Sequence, residues 1–262
     1  MSAPRALVLR AAGTNCDGET ARALELGGAT AAVWHLERLV AEPDRLEQTE
    51  ILVLAGGFSH GDDVGAGRVW GLDLRRRLQA ELWAFVERGG LVLGICNGFQ
   101  ALLESGLFAP RGSAAAERDV ALTANTSNHY ECRWVSLESL DCVCPWIVAG
   151  ERWPVPVAHA EGRFAVADGG VVERLRAAGQ VALSYVAPGG GPAEYPANPN
   201  GSVADIAGIC DASGRVLGLM PHPERNVSPW HHPRWTRMEA REEGEGLIFF
   251  RRMVAVAAGV SV

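Results

Sequence analysis

Three short stretches, far apart in the chain, carry residue types that can do chemistry together. Gly94-Ile95-Cys96-Asn97-Gly98 sets a thiol among small residues, Met220-Pro221-His222-Pro223-Glu224 sets an imidazole two residues from a carboxylate, and Gly56-Gly57-Phe58 sets two glycines after an apolar run. An unperturbed cysteine, with a pKa of about 8.5, is only a few per cent thiolate at neutral pH. It becomes an effective nucleophile when a base or a helix N-terminus favours the thiolate. Gly-Ile-Cys-Asn-Gly has the form of a nucleophile elbow with cysteine in the serine position. His222 precedes a proline, which biases it towards an extended backbone, and in an extended segment Glu224 faces the same way and can orient the imidazole. The glycine pair lets backbone N–H groups approach a bound group, so that with the amide of Asn97 it can cradle an oxyanion. Each piece also has a plainer reading: a core cysteine in a tight turn, a proline-rich surface loop, a simple glycine turn. Together they describe acyl transfer through a thioester.

Such a site needs elements that bring the pieces to one place. Arg5–Arg10 reads as a strand, with a helix from about Glu19 to Leu26 and a second strand over 29–36. The all-apolar run 51–57 reads as a strand covered on both faces. Leu74, Leu78, Leu82 and Phe85 recur at helical spacing over 72–88, and 89–95 is a further strand ending at Cys96. Strand and helix alternating at this pitch indicate an α/β fold built on an open, largely parallel sheet. In such sheets, sites collect beyond the carboxyl ends of the strands. The second half reads as strands over 133–138, 153–162, 181–186, 206–211 and 215–220, a Gly/Pro/Asn-rich loop over 188–202, and a closing amphipathic helix over 245–258. No repeat or linker is visible, so the expectation is a single domain over 1–262.

Composition narrows the chemistry. The 262 residues hold no lysine, all 24 basic residues being arginine, which excludes Schiff-base catalysis and argues against a Walker phosphate loop. A net charge of −7 is unsuited to nucleic acid. The apolar runs are too short for a membrane span, and the N-terminal run does not form a secretion signal, so a cytoplasmic location is expected. Cys16, Cys96, Cys132, Cys142, Cys144 and Cys210 lack paired C-x-x-C spacing; most are expected to be plain thiols, and no resident metal is expected. The adjacent His231 and His232 read as a solvated loop rather than a chelate.

The order Gly-Gly-Phe, Gly-Ile-Cys-Asn-Gly-Phe-Gln and Pro-His-Pro-Glu resembles the triad class (class I) of glutamine amidotransferases. The segments 11–20, 56–68, 125–135, 156–164, 195–202 and 218–225 narrow the resemblance to glutaminase subunits of phosphoribosylformylglycinamidine synthase (PurQ type), from about residue 5 to 255. The resemblance implies a flavodoxin-like α/β sheet with helices on both faces. It implies that Cys96 attacks the side-chain amide of glutamine, with His222 and Glu224 completing the triad. Gly57, Phe58 and Asn97 align with the oxyanion region, Gln100 with the residue holding the amino-acid end of the substrate, and Asn128, His129 and Tyr130 with a segment closing over that end. It further implies no cofactor on this chain. ATP and magnesium belong to a separate large synthetase subunit, to which ammonia passes for conversion of formylglycinamide ribonucleotide to the amidine in purine biosynthesis, with a small third subunit in the complex.

Three other readings compete. A cysteine peptidase or deglycase-like protein often has histidine directly after the cysteine, whereas residue 97 is asparagine. A non-catalytic glutamine-binding module would be expected to lack the cysteine or the histidine. A glutaminase serving another ammonia acceptor shares the triad, and segments 195–202 and 125–135 lean against it. The segment 226–246, longer than a compact form requires, is expected to pack locally rather than to cover a partner.

Overall fold

The computed structural model describes residues 2–111 and 119–262. Its elements, in chain order, are β1 (Arg5–Arg10), α1 (Asp17–Leu26), β2 (Thr30–His35), α2 (Leu36–Ala41), β3 (Ile51–Leu54), α3 (Arg68–Arg77), α4 (Gln79–Glu87), β4 (Leu91–Ile95), α5 (Asn97–Ser105), β5 (Val120–Thr123), β6 (Glu131–Ser139), β7 (Arg152–His159), β8 (Arg163–Val166), α6 (Gly170–Ala177), β9 (Val181–Val186), β10 (Ile206–Cys210), β11 (Val216–Leu219) and α7 (Gly246–Ala257). Nine strands form one sheet in the order β2-β1-β3-β4-β11-β10-β9-β6-β7, and β5 pairs with β8 in a separate ribbon. The run β2-β1-β3-β4-β11 is parallel, and β10, β9, β6 and β7 extend it antiparallel.

The apolar runs explain the parallel half. Successive side chains of a strand point to opposite faces. Accordingly Val8, Val53 and Leu93 enter one core while Leu7, Leu9, Leu52, Leu54 and Val92 enter a second on the other face. Every residue of β3, β4, β10 and β11 is buried, which is why these strands read as unbroken hydrophobic stretches. β7 instead alternates, with Trp153, Val155, Val157 and His159 inside.

Where the structure departs from expectation, it does so at local breaks. The helix expected over 72–88 is two, α3 and α4, because Leu78 leaves helical geometry (φ −139°) while its side chain is buried in the same core as Leu74, Leu82 and Phe85. Pro223–Asn226, expected to be extended, forms a 3-10 turn. The β5–β8 ribbon and α6 had no clear signature. The segment after this turn closes on itself, Gly244 N–H donating to the Val227 carbonyl at 3.1 Å and Asn226 Nδ2 to Glu245 at 2.9 Å. It is tied to the body where Asn226 Nδ2 also donates to the Pro154 carbonyl at 2.8 Å and the His232 ring packs on Trp134 at 4.8 Å.

One glycine fixes how closely helix and sheet approach. A Cβ on Gly98 would lie 2.0 Å from the Leu54 carbonyl oxygen and 2.6 Å from its carbon. β3 is held by β1 and β4 and cannot yield, so Gly98→Ala must push α5 off the sheet. The expected cost is about 3 kcal/mol or more, read as a lower urea midpoint with an unchanged slope.

Candidate active site

The three pieces, with a fourth, meet beyond the carboxyl ends of four neighbouring strands. β4 ends immediately before Cys96, β3 shortly before Gly56-Gly57, β11 shortly before His222, and β1 before the loop that carries Cys16. Cys96 turns from β4 into α5 with φ 52° and ψ −109°, a conformation costly for a residue with a Cβ. It is held there by its N–H, which donates to the Leu219 carbonyl at 2.8 Å. The thiol is buried, 3.7 Å from the Ala158 carbonyl, at the N-terminus of α5, where the helix dipole favours negative charge.

His222 and Glu224 are each 1% exposed, and Nδ1 lies 2.6 Å from Glu224 Oε1. They meet across the start of the 3-10 turn rather than along an extended strand. The His222 N–H donates to the Pro156 carbonyl at 2.9 Å and fixes the backbone entering the turn. Burial opposes a charged ring. The Glu224 carboxylate, and after it the Cys96 sulfur, outweigh that and hold the imidazole well above its usual pKa. The site therefore favours a protonated imidazole beside the Cys96 sulfur, the arrangement that can protonate a departing amine.

Around the elbow runs an amide network. Asn97 Oδ1 accepts from the Ser59 N–H at 3.0 Å, while Asn97 Nδ2 donates to Asp62 Oδ1 and to Gln100 Oε1, each at 3.1 Å. Gln100 Nε2 donates to the Glu161 carbonyl. The Phe58 N–H is engaged by the Gly13 carbonyl at 3.0 Å. This leaves the N–H groups of Gly57 and Asn97 as candidate oxyanion donors, the latter unpaired within its helix by its position in the first turn. Of the segment 128–130, Tyr130 reaches the site: its ring lies 6.2 Å from that of Phe58, and its hydroxyl pKa is raised by burial and by the Cys96 charge. Asn128 adopts a left-handed backbone (φ 54°), and the His129 carbonyl is fixed by Asn125 Nδ2 at 3.0 Å; both side chains are exposed.

Several residues here carried no site signal in the sequence. His159, buried at the end of β7, is pushed down to a pKa of about 4 by burial and then by the charge on His222, so it is neutral beside the imidazolium. Asn200, fully buried, donates to the Gly162 carbonyl at 2.8 Å and to Tyr185 Oη at 3.2 Å. Segments 156–164 and 195–202, notable beforehand only as family motifs, therefore build the floor of the site. Cys16 lies against His222, with Arg225 Nη2 3.1 Å from its sulfur.

Asp62 gives a stability prediction. Burial, and then the Glu161 charge, raise its pKa to about 6. The raised pKa makes its contribution to stability fully present below the unfolded pKa of about 3.9 and lost as pH rises through about 6. Asp62→Asn, which keeps an acceptor for Asn97, is expected to be more stable than the parent at pH 7 by about 1 kcal/mol after discounting for solvent screening. That advantage should vanish below about pH 4, as measured by urea midpoints across pH.

A CobB/CobQ-like glutamine amidotransferase domain matches residues 3–256. A phosphoribosylformylglycinamidine synthase subunit PurQ from Dehalococcoides mccartyi is 42% identical, over 99% of this chain and 100% of its own. One from Methanococcus maripaludis is 43% identical, over 88% and 86%. A chain in the structure of PurLQS from Thermotoga maritima superposes with a TM-score of 0.72 at 32% identity, covering 97% of this chain and 99% of that one. The chain belongs to the PurQ family of glutamine amidotransferases.

Proposed function

We propose that this chain is the glutaminase subunit of phosphoribosylformylglycinamidine synthase, acting in purine biosynthesis as a single amidotransferase domain with an extended C-terminal segment. The observation that carries the reading is the buried Cys96–His222–Glu224 set, with its cysteine on a strained elbow, in a chain aligned over nearly its whole length with PurQ relatives. Cys96 attacks the side-chain carbonyl of glutamine as the thiolate, the form that pairs with a charged His222. The oxyanion forms against the N–H groups of Gly57 and Asn97, and Phe58 helps shape that cradle. His222, held charged by Glu224, passes its proton to the nitrogen as the C–N bond breaks, so that ammonia leaves and a glutamyl thioester remains. The neutral imidazole then takes a proton from water, which cleaves the thioester and restores the thiolate beside a charged His222, the new carboxyl group losing its proton to give glutamate.

Gln100 holds the amino-acid end of the substrate, and Asn128, His129 and Tyr130 close over it. Ammonia loses its nucleophilicity once protonated in bulk water, so direct delivery to a partner accords with a triad this deeply buried. That partner is a large synthetase subunit binding ATP and magnesium, accompanied by a small third subunit, all in the cytoplasm. No helix among the described residues is long and apolar enough to cross a membrane.

The test is glutamate release from glutamine with the synthetase, ATP, magnesium and formylglycinamide ribonucleotide, and again without them. Slow release alone and fast, amidine-coupled release in the complex is expected. No glutamate under any condition, with added ammonium still driving the synthetase, would remove the chain as ammonia source.

A further inference from the structure

A second thiol occupies the triad, and the chemistry above gives it no task. Cys16, in the loop between β1 and α1, is 1% exposed, and its sulfur, an imidazole nitrogen of His222 and a carboxylate oxygen of Glu224 all lie within 4.8 Å of one another. We propose that these three residues form a latent site for a soft divalent cation, with zinc as the natural occupant, and that occupancy switches off glutamine hydrolysis.

Thiolate, imidazole and carboxylate are the donors zinc prefers. Bonds of about 2.0–2.3 Å to a tetrahedral ion put ligand atoms roughly 3.5 Å apart, so closure from the observed spacing needs a shift of about 1 Å. Two of the three groups have a further atom for a metal, that of the imidazole once its proton is lost. His222 Nε2 and Glu224 Oε2 are both buried and make no hydrogen bond to the described residues. Binding displaces two protons, the thiol proton of Cys16 and one from the charged His222 ring, and releases both to solvent. Burial raises the Cys16 pKa, so the free site holds a thiol, which donates to Asn15 Oδ1 at 3.2 Å.

The surroundings suit the metallated form. Arg225 Nη2, 3.1 Å from the sulfur, can donate to a bound thiolate, while its own charge is matched by Glu19 at 2.6 Å. Two anionic ligands neutralise the dication. The cost to catalysis is direct: an imidazole bound to metal cannot carry the proton that ammonia needs, and Glu224 is drawn from orienting it. The inhibitory consequence rests on the proposed triad, whereas the binding itself does not.

The experiment has two arms. Cobalt(II), as a spectroscopic stand-in for zinc, is titrated into the intact chain in a non-chelating reductant. One equivalent should produce the visible bands of a tetrahedral site and a near-ultraviolet sulfur-to-cobalt band. Both should persist in Cys96→Ala and the sulfur band should disappear in Cys16→Ser. No cobalt binding, or a sulfur band that survives Cys16→Ser, overturns the site, and neither result bears on whether the chain is a glutaminase. In the second arm, zinc should inhibit glutamine-dependent but not ammonium-dependent amidine synthesis by the complex, reversibly with chelator. Cys16→Ser should raise the half-inhibiting zinc concentration at least about 100-fold. Equal zinc sensitivity of this variant and the parent overturns the proposed switch.

Discussion

Cys96→Ala is expected to lower glutamine-dependent amidine synthesis by roughly 10⁴-fold or more, while the complex still assembles and added ammonium still drives the synthetase at the parental rate. The thioester needs a sulfur, and no other thiol can take the role of Cys96 on the elbow. The N–H groups of Gly57 and Asn97 remain in the variant, so residual hydrolysis reports what the cradle alone contributes. Unfolding should change little. Alanine at φ 52° carries the same Cβ strain as cysteine, and the lost contact is a single sulfur, 3.7 Å from the Ala158 carbonyl. Cys96→Ser should be nearly as slow, because a hydroxyl beside an imidazolium remains protonated. Measurement of glutamate, amidine and unfolding midpoint on the same preparations separates a lost nucleophile from a damaged fold. Glutamine turnover above a hundredth of the parental rate in Cys96→Ala would place the nucleophile elsewhere.

The legible part of the fold was the part whose burial is symmetric. β3, β4 and β11 are sealed on both faces, so each appears as a bare apolar run, and the residues just beyond these strands are Gly56-Gly57, Cys96 and the stretch leading to His222. The β5–β8 ribbon is only four residues per strand and mostly half-buried, which leaves too short an alternation to detect. Leu78 shows a different difficulty. Its apolar spacing suits one long helix, and only the packing of its side chain in the core beside Leu74 and Leu82 accompanies the break between α3 and α4.

At the site, the residues with intrinsic reactivity announced themselves and their supports did not. Cys96 and His222 have a chemistry that spacing and neighbours can sharpen. His159 matters because the fold buries it near His222 and keeps it neutral, a fact about tertiary distance. Asn200 satisfies a backbone carbonyl from another segment, and no sequence interval encodes that contact. The 3-10 turn is instructive in the same way. Proline after His222 pointed to an extended backbone, yet the Pro156 carbonyl and the turn after Pro223 bring Glu224 back under the ring at 2.6 Å. The pairing was foreseeable; its geometry was not.

Glu224→Gln tests that pairing with the second-largest effect expected. The substituted amide would keep an oxygen near His222 Nδ1 but remove the anion that is the main support for a charged ring. With burial then opposed only by Cys96 and Cys16, the imidazole pKa must fall, and less of the ring carries the proton that departing ammonia needs. A loss on the order of 10³–10⁴ in glutamine turnover follows, with KM changed far less, because Glu224 is buried behind the histidine and acts through it. The pH dependence carries the sign. In the parent the folded pKa of His222 lies above its unfolded value, so the ion pair's stabilisation is complete below about pH 6.5 and is lost as pH rises through the folded pKa. The stability deficit of Glu224→Gln should therefore be greatest in mildly acidic solution and shrink on the alkaline side. The alkaline limb of its residual turnover should move to lower pH than the parent's. A deficit that grew towards alkaline pH would mean that His222 is neutral in the folded parent, and that Glu224 only positions the ring.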